Sequence, residues 1–474
     1  MKPVCILCGM MLRTLFSPLL VLLALEAQAQ STVPADESSA PAPAAFDARV
    51  RDVAHAPSAE RIEPDVRTLV GFGTRHTLSD TTSATRGIGA ARRWIEAEFR
   101  RISAACDGCL EVHVQRTLVD SAGNRRIDVP TEIVNVYAVL RGTKRPDDYV
   151  IMSGDIDSRV SDPMDRTSDS PGANDNASGM AGVLEAARVL SRYTFDNSVV
   201  LAGLSGEEQG LFGGQAMAEM ARAEGWNIVG VLNNDMIGNY RGIDGVVDSR
   251  EFRIFSEPNF QNADERLRTW RRFYGGEVDG ASRQLARYVH RVTETYLPRL
   301  DPMMICRLDR FGRGGHHRPF NDAGFAGVRI MEAHEHYDRQ HQDIRTEAGR
   351  AYGDVLEGVD FDYAARLTGV NCAVLASLGW APPQPSVVEI GGTVEPAARL
   401  AWEHPGADGL AGFKLYYRLT TEPQWSGHVW VGPDARAHTL DGLVVDNYFF
   451  GVAAVGADGN ESLVVFPRVV MRTR

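Results

Sequence analysis

From about residue 46 to 380 the chain alternates runs of strand character with runs of helical character, and this alternation constrains the fold more than any other feature. LEVHVQRTLV, EIVNVYAVLRG, DYVIMSG, SVVLAGLS and NIVGVLNND read as strands, while RGIGAARRWIEAEFRRIS, SGMAGVLEAARVLSRY and GLFGGQAMAEMARAEG carry the spacing of helices. Strands that are apolar on both faces need cover on both sides. The pattern therefore predicts an α/β fold, a largely parallel sheet with helices against each face. In such open sheets, sites form beyond the carboxyl ends of the strands.

Acids collect at those ends. YVIMSGDIDSR runs from a strand into Asp155 and Asp157, whose side chains share one side of an extended chain and repel each other. PGANDNASG adds Asp175, LSGEEQG adds Glu207 and Glu208, and LNNDMIG adds Asp235. Two carboxylates ~4 Å apart repel by ~4 kcal/mol at an effective dielectric near ~20, so the cluster needs cations or protons to exist. Histidines lie downstream: His316 and His317 in GRGGHHRPF, then His334, His336 and His341 in RIMEAHEHYDRQHQDIRTE. A mixed Asp, Glu and His donor set suits zinc or a neighbouring transition metal, whereas an all-carboxylate cage suits calcium or magnesium. Taken singly, each acid is more simply a helix cap or a solvated turn; their convergence at predicted strand ends argues for ligation.

The ends of the chain read differently. Residues 1–29 have the layout of a secretory signal peptide: basic Lys2 and Arg13, an apolar run from Leu15 to Leu25 too short for a comfortable membrane span, then Ala27-Gln28-Ala29. Residues 30–45 are a Ser/Ala/Pro-rich linker expected to be disordered. A catalytic domain is expected over 46–381. The stretch with Pro382, Pro383 and Pro385 is the natural hinge. From 385 to 474 short β runs between turns, with Trp402 and a possible corner tyrosine at Tyr448, predict a small all-β sandwich that resembles a fibronectin type III module. The net charge of −12 becomes one unit more negative when Lys2, Arg13 and Glu26 leave with the leader. Such an acidic exported chain is a poor partner for nucleic acid or anionic membranes. No membrane span is expected after leader removal, and the oligomeric state is not legible. Of the remaining cysteines, Cys106 and Cys109 are placed for a local disulfide, and Cys306 with Cys372 for a distant bridge or two free thiols.

The ordered set SGDIDSR, PGANDNASGMAGVLEAARVL, LSGEEQGLFGG, NNDMIG and YDRQHQD resembles the secreted two-zinc aminopeptidases of metallopeptidase family twenty-eight over roughly residues 60 to 380. The resemblance implies a three-layer α/β/α sandwich of the phosphorylase/hydrolase-like zinc exopeptidase type, with two divalent ions, most simply Zn2+. Position by position, Asp175 bridges the metals, Glu208 and His341 complete one subsite, and Asp235 with position 155 completes the other. Glu207 is the general base toward the water attacking a peptide substrate.

Position 155 departs from the pattern, since the family places histidine there and Asp157 matches the acid that orients it. Asp155, Asp175, Glu208 and Asp235 then supply −4 where the usual set supplies −3. Three readings stay open. Asp155 ligates and favours a harder ion such as Mn2+ or Co2+ at one subsite, or it does not ligate and one metal is held, or the site is a non-catalytic binder. His316 and His317 lie near the site as candidate contacts to substrate or oxyanion, with capping or surface roles as the alternative. Tyr240 is a candidate oxyanion donor or a packed tyrosine, and His334 and His336 are expected not to ligate. An exported aminopeptidase leads; a carboxypeptidase, with Arg159 and Arg313 as candidate carboxylate partners, a glutaminyl cyclase and a binding protein are the alternatives.

Overall fold

The computed structural model describes residues 41–258, 264–275 and 280–471. The expected leader and most of the 30–45 linker lie outside the described residues.

Eight strands form the main sheet: β1 Leu110–Val119, β2 Thr131–Leu140, β3 Arg145–Asp155, β4 Asn197–Leu204, β5 Asn227–Asn234, β6 Glu251–Ser256, β7 Asp301–Ile305 and β8 Gly327–Glu332. Their order is β1-β2-β4-β3-β5-β8-β6-β7. The neighbours β4, β3, β5 and β8 run parallel, whereas β1 with β2, β2 with β4, and β6 with β8 are antiparallel. The expectation of a largely parallel sheet thus holds for the centre and fails toward the edges. Strand direction leaves little trace in an apolar pattern, because it is set by the connections and not by the residues that face the core.

The alternation of side chains along β3 and β4 builds two cores. Val150, Met152, Val199 and Leu201 face the helices Gly179–Leu190 and Phe361–Trp380, while Tyr149, Ile151, Val200 and Ala202 face Met217 and Ala218 of the helix Phe212–Ala223. Helices therefore cover both faces, as strands apolar all round require. Gly154 lets β3 come against the helix on its face: a Cβ there would lie 2.7 Å from the backbone carbon of Gly179.

After the helix Phe361–Trp380, two smaller sheets, one of four strands and one of three, share a single core. Val388, Leu400 and Trp402 of the first meet Phe413, Leu415, Phe450 and Val452 of the second. This part is tied to the helix Ala281–Tyr296 by an ion pair between Arg291 and Glu461, 2.9 Å, and by Tyr288, whose hydroxyl donates to the Glu461 carbonyl.

Cys106 and Cys109 form a disulfide, but Cys306 and Cys372 do not pair. Cys372 is buried within the helix Phe361–Trp380 and Cys306 is exposed past β7, so the distant bridge is excluded. Among the described residues no helix is long and apolar enough to cross a membrane.

Candidate metal centre and cleft

Sheet order brings the acids together. β3 lies between β4 and β5, with Asp155 opposite Leu204 and Gly154 opposite Asn234. The strand ends therefore place Asp155, the turn carrying Glu207 and Glu208, and Asp235 side by side. Gly206 makes the turn after β4 in a left-handed conformation (φ +75°) that a residue without Cβ adopts at little cost. The two glutamates follow in the short helix Glu207–Gly210.

Asp157 holds that short helix. Its carboxylate accepts from the backbone N–H of Glu207 (3.2 Å) and of Glu208 (3.1 Å) and from the Thr77 hydroxyl (2.8 Å). The acid that matches the orienting residue of the family pattern here fixes the backbone of the Glu207-Glu208 pair. The Asp175 loop is pinned in the same manner by Asp354, which accepts from the N–H groups of Asn174 (2.8 Å) and Asp175 (2.7 Å). Asn176 then bridges strand ends, donating to Asp155 Oδ2 and to the Asn234 carbonyl, both at 2.7 Å.

Among the described residues one group of donors converges as a metal site would. Ligand atoms of Asp175, Glu208 and His341 lie within 4.8 Å of one another. His341 Nε2 stands 2.9 Å from Asp175 Oδ2 and 2.9 Å from Glu208 Oε1. One imidazole and two carboxylates with a side open to the cleft fit a catalytic transition-metal ion, which takes three protein donors and keeps a free position. His341 is held at φ +50°, a left-handed conformation uncommon for residues other than glycine.

The electrostatics agree. Burial alone would lower the His341 pKa, but Glu208 and Asp175 raise it to about 9. Burial would raise Asp175 and Glu208, yet His341 holds both below the usual carboxylate range. A proton thus occupies the place that suits a divalent ion. Because binding at Nε2 must displace that proton, ion affinity is expected to rise about tenfold per pH unit between pH 6 and 8 and to level near pH 9. Equilibrium dialysis of zinc at three pH values reads this slope directly. Glu207 is pushed well above the ordinary carboxylate value, first by burial and then by Glu208 and Asp235.

The remaining predicted residues are placed as follows. Asp155 is fully enclosed, with Oδ1 2.6 Å from His316 Nδ1 and Oδ2 taken by Asn176. Asp235 Oδ2 is paired at 2.9 Å with Arg329, while its Oδ1 is buried without a hydrogen-bond partner. His316 and His317 are both 0% exposed, which removes the surface alternative; His317 Nε2 meets the Leu308 carbonyl at 2.7 Å. Tyr240 is not among the residues lining the cleft of the acids; its ring packs against Tyr363 and its hydroxyl accepts from Arg241. His334 pairs with Glu251, and His336 lines a small cavity with Glu332 and Asp175; neither histidine is among the converging donors.

Two arginines escaped the sequence reading in the roles they hold. Arg159 Nε pairs with Glu208 Oε2 at 2.8 Å, and its Nη2 lies 2.6 Å from His341 Nδ1. Arg329 sits in the apolar strand β8, where a lone charge between Val328 and Ile330 was the available signal.

Asp175, Glu207, Glu208, Asp235 and His341 line a cleft of about 500 Å3, whose rim carries Arg126, Arg313 and Arg318. Arg126 donates to the Glu208 carbonyl and Arg318 lies 3.4 Å from Asp322. The exposed Arg313 has no side-chain partner among the described residues.

The model of Peptidase family M28 matches residues 135–359. A probable zinc metalloprotease of Leptosphaeria maculans is 42% identical over 413 residues, 86% of this chain and 94% of that protein. Another, of Pyrenophora tritici-repentis, is 36% identical over 424 residues, 89% of this chain and 98% of that protein. Among solved structures the LapA aminopeptidase of Legionella pneumophila is similar in fold, with a TM-score of 0.50, 16% identity, and 70% of this chain and 75% of that chain covered. The converging donors lie inside the matched segment, and the likeness to these relatives runs nearly their whole length: the chain belongs to peptidase family M28.

Proposed function

We propose that this chain is an exported, metal-dependent exopeptidase that removes N-terminal residues from peptides. The observation that carries the reading is the placement of Glu207 in the cleft beside the converging Asp175, Glu208 and His341. The description of the relatives as probable zinc metalloproteases supports both zinc and peptide hydrolysis. A divalent ion held by those donors supplies a Lewis acid that polarises the scissile carbonyl and acidifies the attacking water. Glu207 takes the proton from that water and passes it to the leaving amine, a transfer suited to a carboxyl whose pKa is raised by burial and by Glu208. Asp157 keeps Glu207 and Glu208 in register by holding both backbone amides. Asp235, which lines the same cleft, is the acid assigned to a substrate α-ammonium group.

A second reading within the same chemistry is favoured by the rim. Arg313 and Arg126 are placed to receive a free carboxylate, as a carboxypeptidase needs. Two substrate sets separate the readings: aminoacyl p-nitroanilides with free amino termini, and amino-blocked dipeptides with free carboxyl termini. Cleavage of the first set alone is the expected outcome. Cleavage of the second alone, lost in Arg313→Glu, transfers the assignment to the carboxypeptidase.

Export rests on the leader pattern and agrees with the Cys106–Cys109 disulfide, which is at home in an oxidising compartment. The all-β part over 385–474 is proposed to be a fibronectin type III-like module that serves as a spacer or surface-binding appendage to a catalytic domain over 46–381.

A further inference from the structure

Arg329 is 0% exposed and stands beside a residue that the family resemblance assigns to a metal. β8 pairs with β5 so that Arg329 is opposite Asn233, two residues before Asp235. Its Nη2 lies 2.9 Å from Asp235 Oδ2, and its Nη1 is 3.0 Å from both oxygens of Asp309. A guanidinium does not lose its proton in a protein, so this is a permanent positive charge without water. A buried charge of this kind persists where matched acids surround it.

The resemblance would put a second ion between Asp155 and Asp235. Both are already engaged by neighbouring donors. Both oxygens of Asp155 are taken, by His316 Nδ1 and Asn176 Nδ2, and one oxygen of Asp235 is taken by Arg329. Neither belongs to the group of converging donors.

We propose that the chain binds one divalent ion, at Asp175, Glu208 and His341, and that the Arg329 guanidinium occupies the role of the second cation by holding Asp235 in place. Arg329 is a positioning residue, acting through Asp235. The replacement of histidine by aspartate at position 155 belongs to the same change: a second ion is not held there, and Asp155 instead orders His316.

The inference rests on the metal-dependent reading above, and one set of measurements separates the two. The protein is stripped with chelator, refilled with excess Zn2+ or Mn2+, and freed of loose ion by dialysis. Metal per chain is measured by elemental analysis, and the manganese form by electron paramagnetic resonance. One ion per chain with the six-line spectrum of an isolated Mn2+ is expected. Two ions per chain with an exchange-coupled spectrum overturn the inference, and no retained ion overturns the metal-dependent reading with it. Arg329→Met removes the internal cation, and Arg329→Gln keeps a neutral donor toward Asp235. Whichever variant folds, judged by circular dichroism, is expected to take up a second ion. A folded variant that still binds a single ion shows that Arg329 does not fill the second cation's role.

Discussion

Glu207→Gln is expected to lower kcat by about 10²- to 10⁴-fold, the usual contribution of a positioned general base, while leaving the fold and the bound ion intact. The amide is nearly isosteric but cannot accept and return a proton. Glu207 is not among the converging donors, so ion content measured on the same sample is expected to be unchanged. This separates a lost proton shuttle from a lost metal. His341→Ala, by contrast, is expected to lose both the ion and activity. Hydrolysis that survives Glu207→Gln undiminished removes Glu207 from the chemistry.

The second large effect is on stability. Glu461→Ala is expected to cost about 3–5 kcal/mol, the range seen when one partner of a buried ion pair is removed. Glu461 is 6% exposed and receives Lys414 Nζ at 2.5 Å, the Tyr416 hydroxyl at 2.6 Å and Arg291 at 2.9 Å. Truncation leaves Lys414 buried without its acid and takes the carboxylate from the partly exposed Arg291. It also removes the ion pair between the helix Ala281–Tyr296 and the all-β part, while the Tyr288 bond to the main-chain carbonyl at 461 remains. Burial raises the Glu461 pKa, but Arg291 and Lys414 outweigh burial and hold it below the ordinary value. A depressed acid contributes stability above its unfolded pKa and loses it as pH falls through the folded value. The wild type is therefore expected to lose this increment on acidification below about pH 4.3, the unfolded glutamate value, whereas Glu461→Ala shows no such loss. Urea unfolding at pH 7 and pH 3.5 checks both points.

Much of this was legible in the sequence for reasons that can be named. Strands apolar on both faces announced a covered sheet, and acids at their carboxyl ends announced the site, because backbone geometry alone carries those residues to one rim. The edges of the sheet were not legible, since a run such as EIVNVYAVLRG looks the same in either direction. The supporting contacts were least legible. Asp354 lies 179 residues from the Asp175 amide it holds, and nothing local in YGDVLEG points there. The partners of Asp157 were not legible: its alternation with Asp155 is visible in the sequence, but the backbone amides of Glu207 and Glu208 have no side-chain signature. Arg329 was visible as a charge in an apolar strand and was passed over because strand pairing, not sequence distance, sets it against Asp235.

The most direct test of the account is the rate of peptide hydrolysis by the wild type before stripping, after stripping, and after return of a single equivalent of Zn2+. Cleavage is expected to disappear with the ion and to return with one equivalent. A rate untouched by removal of metal would contradict it.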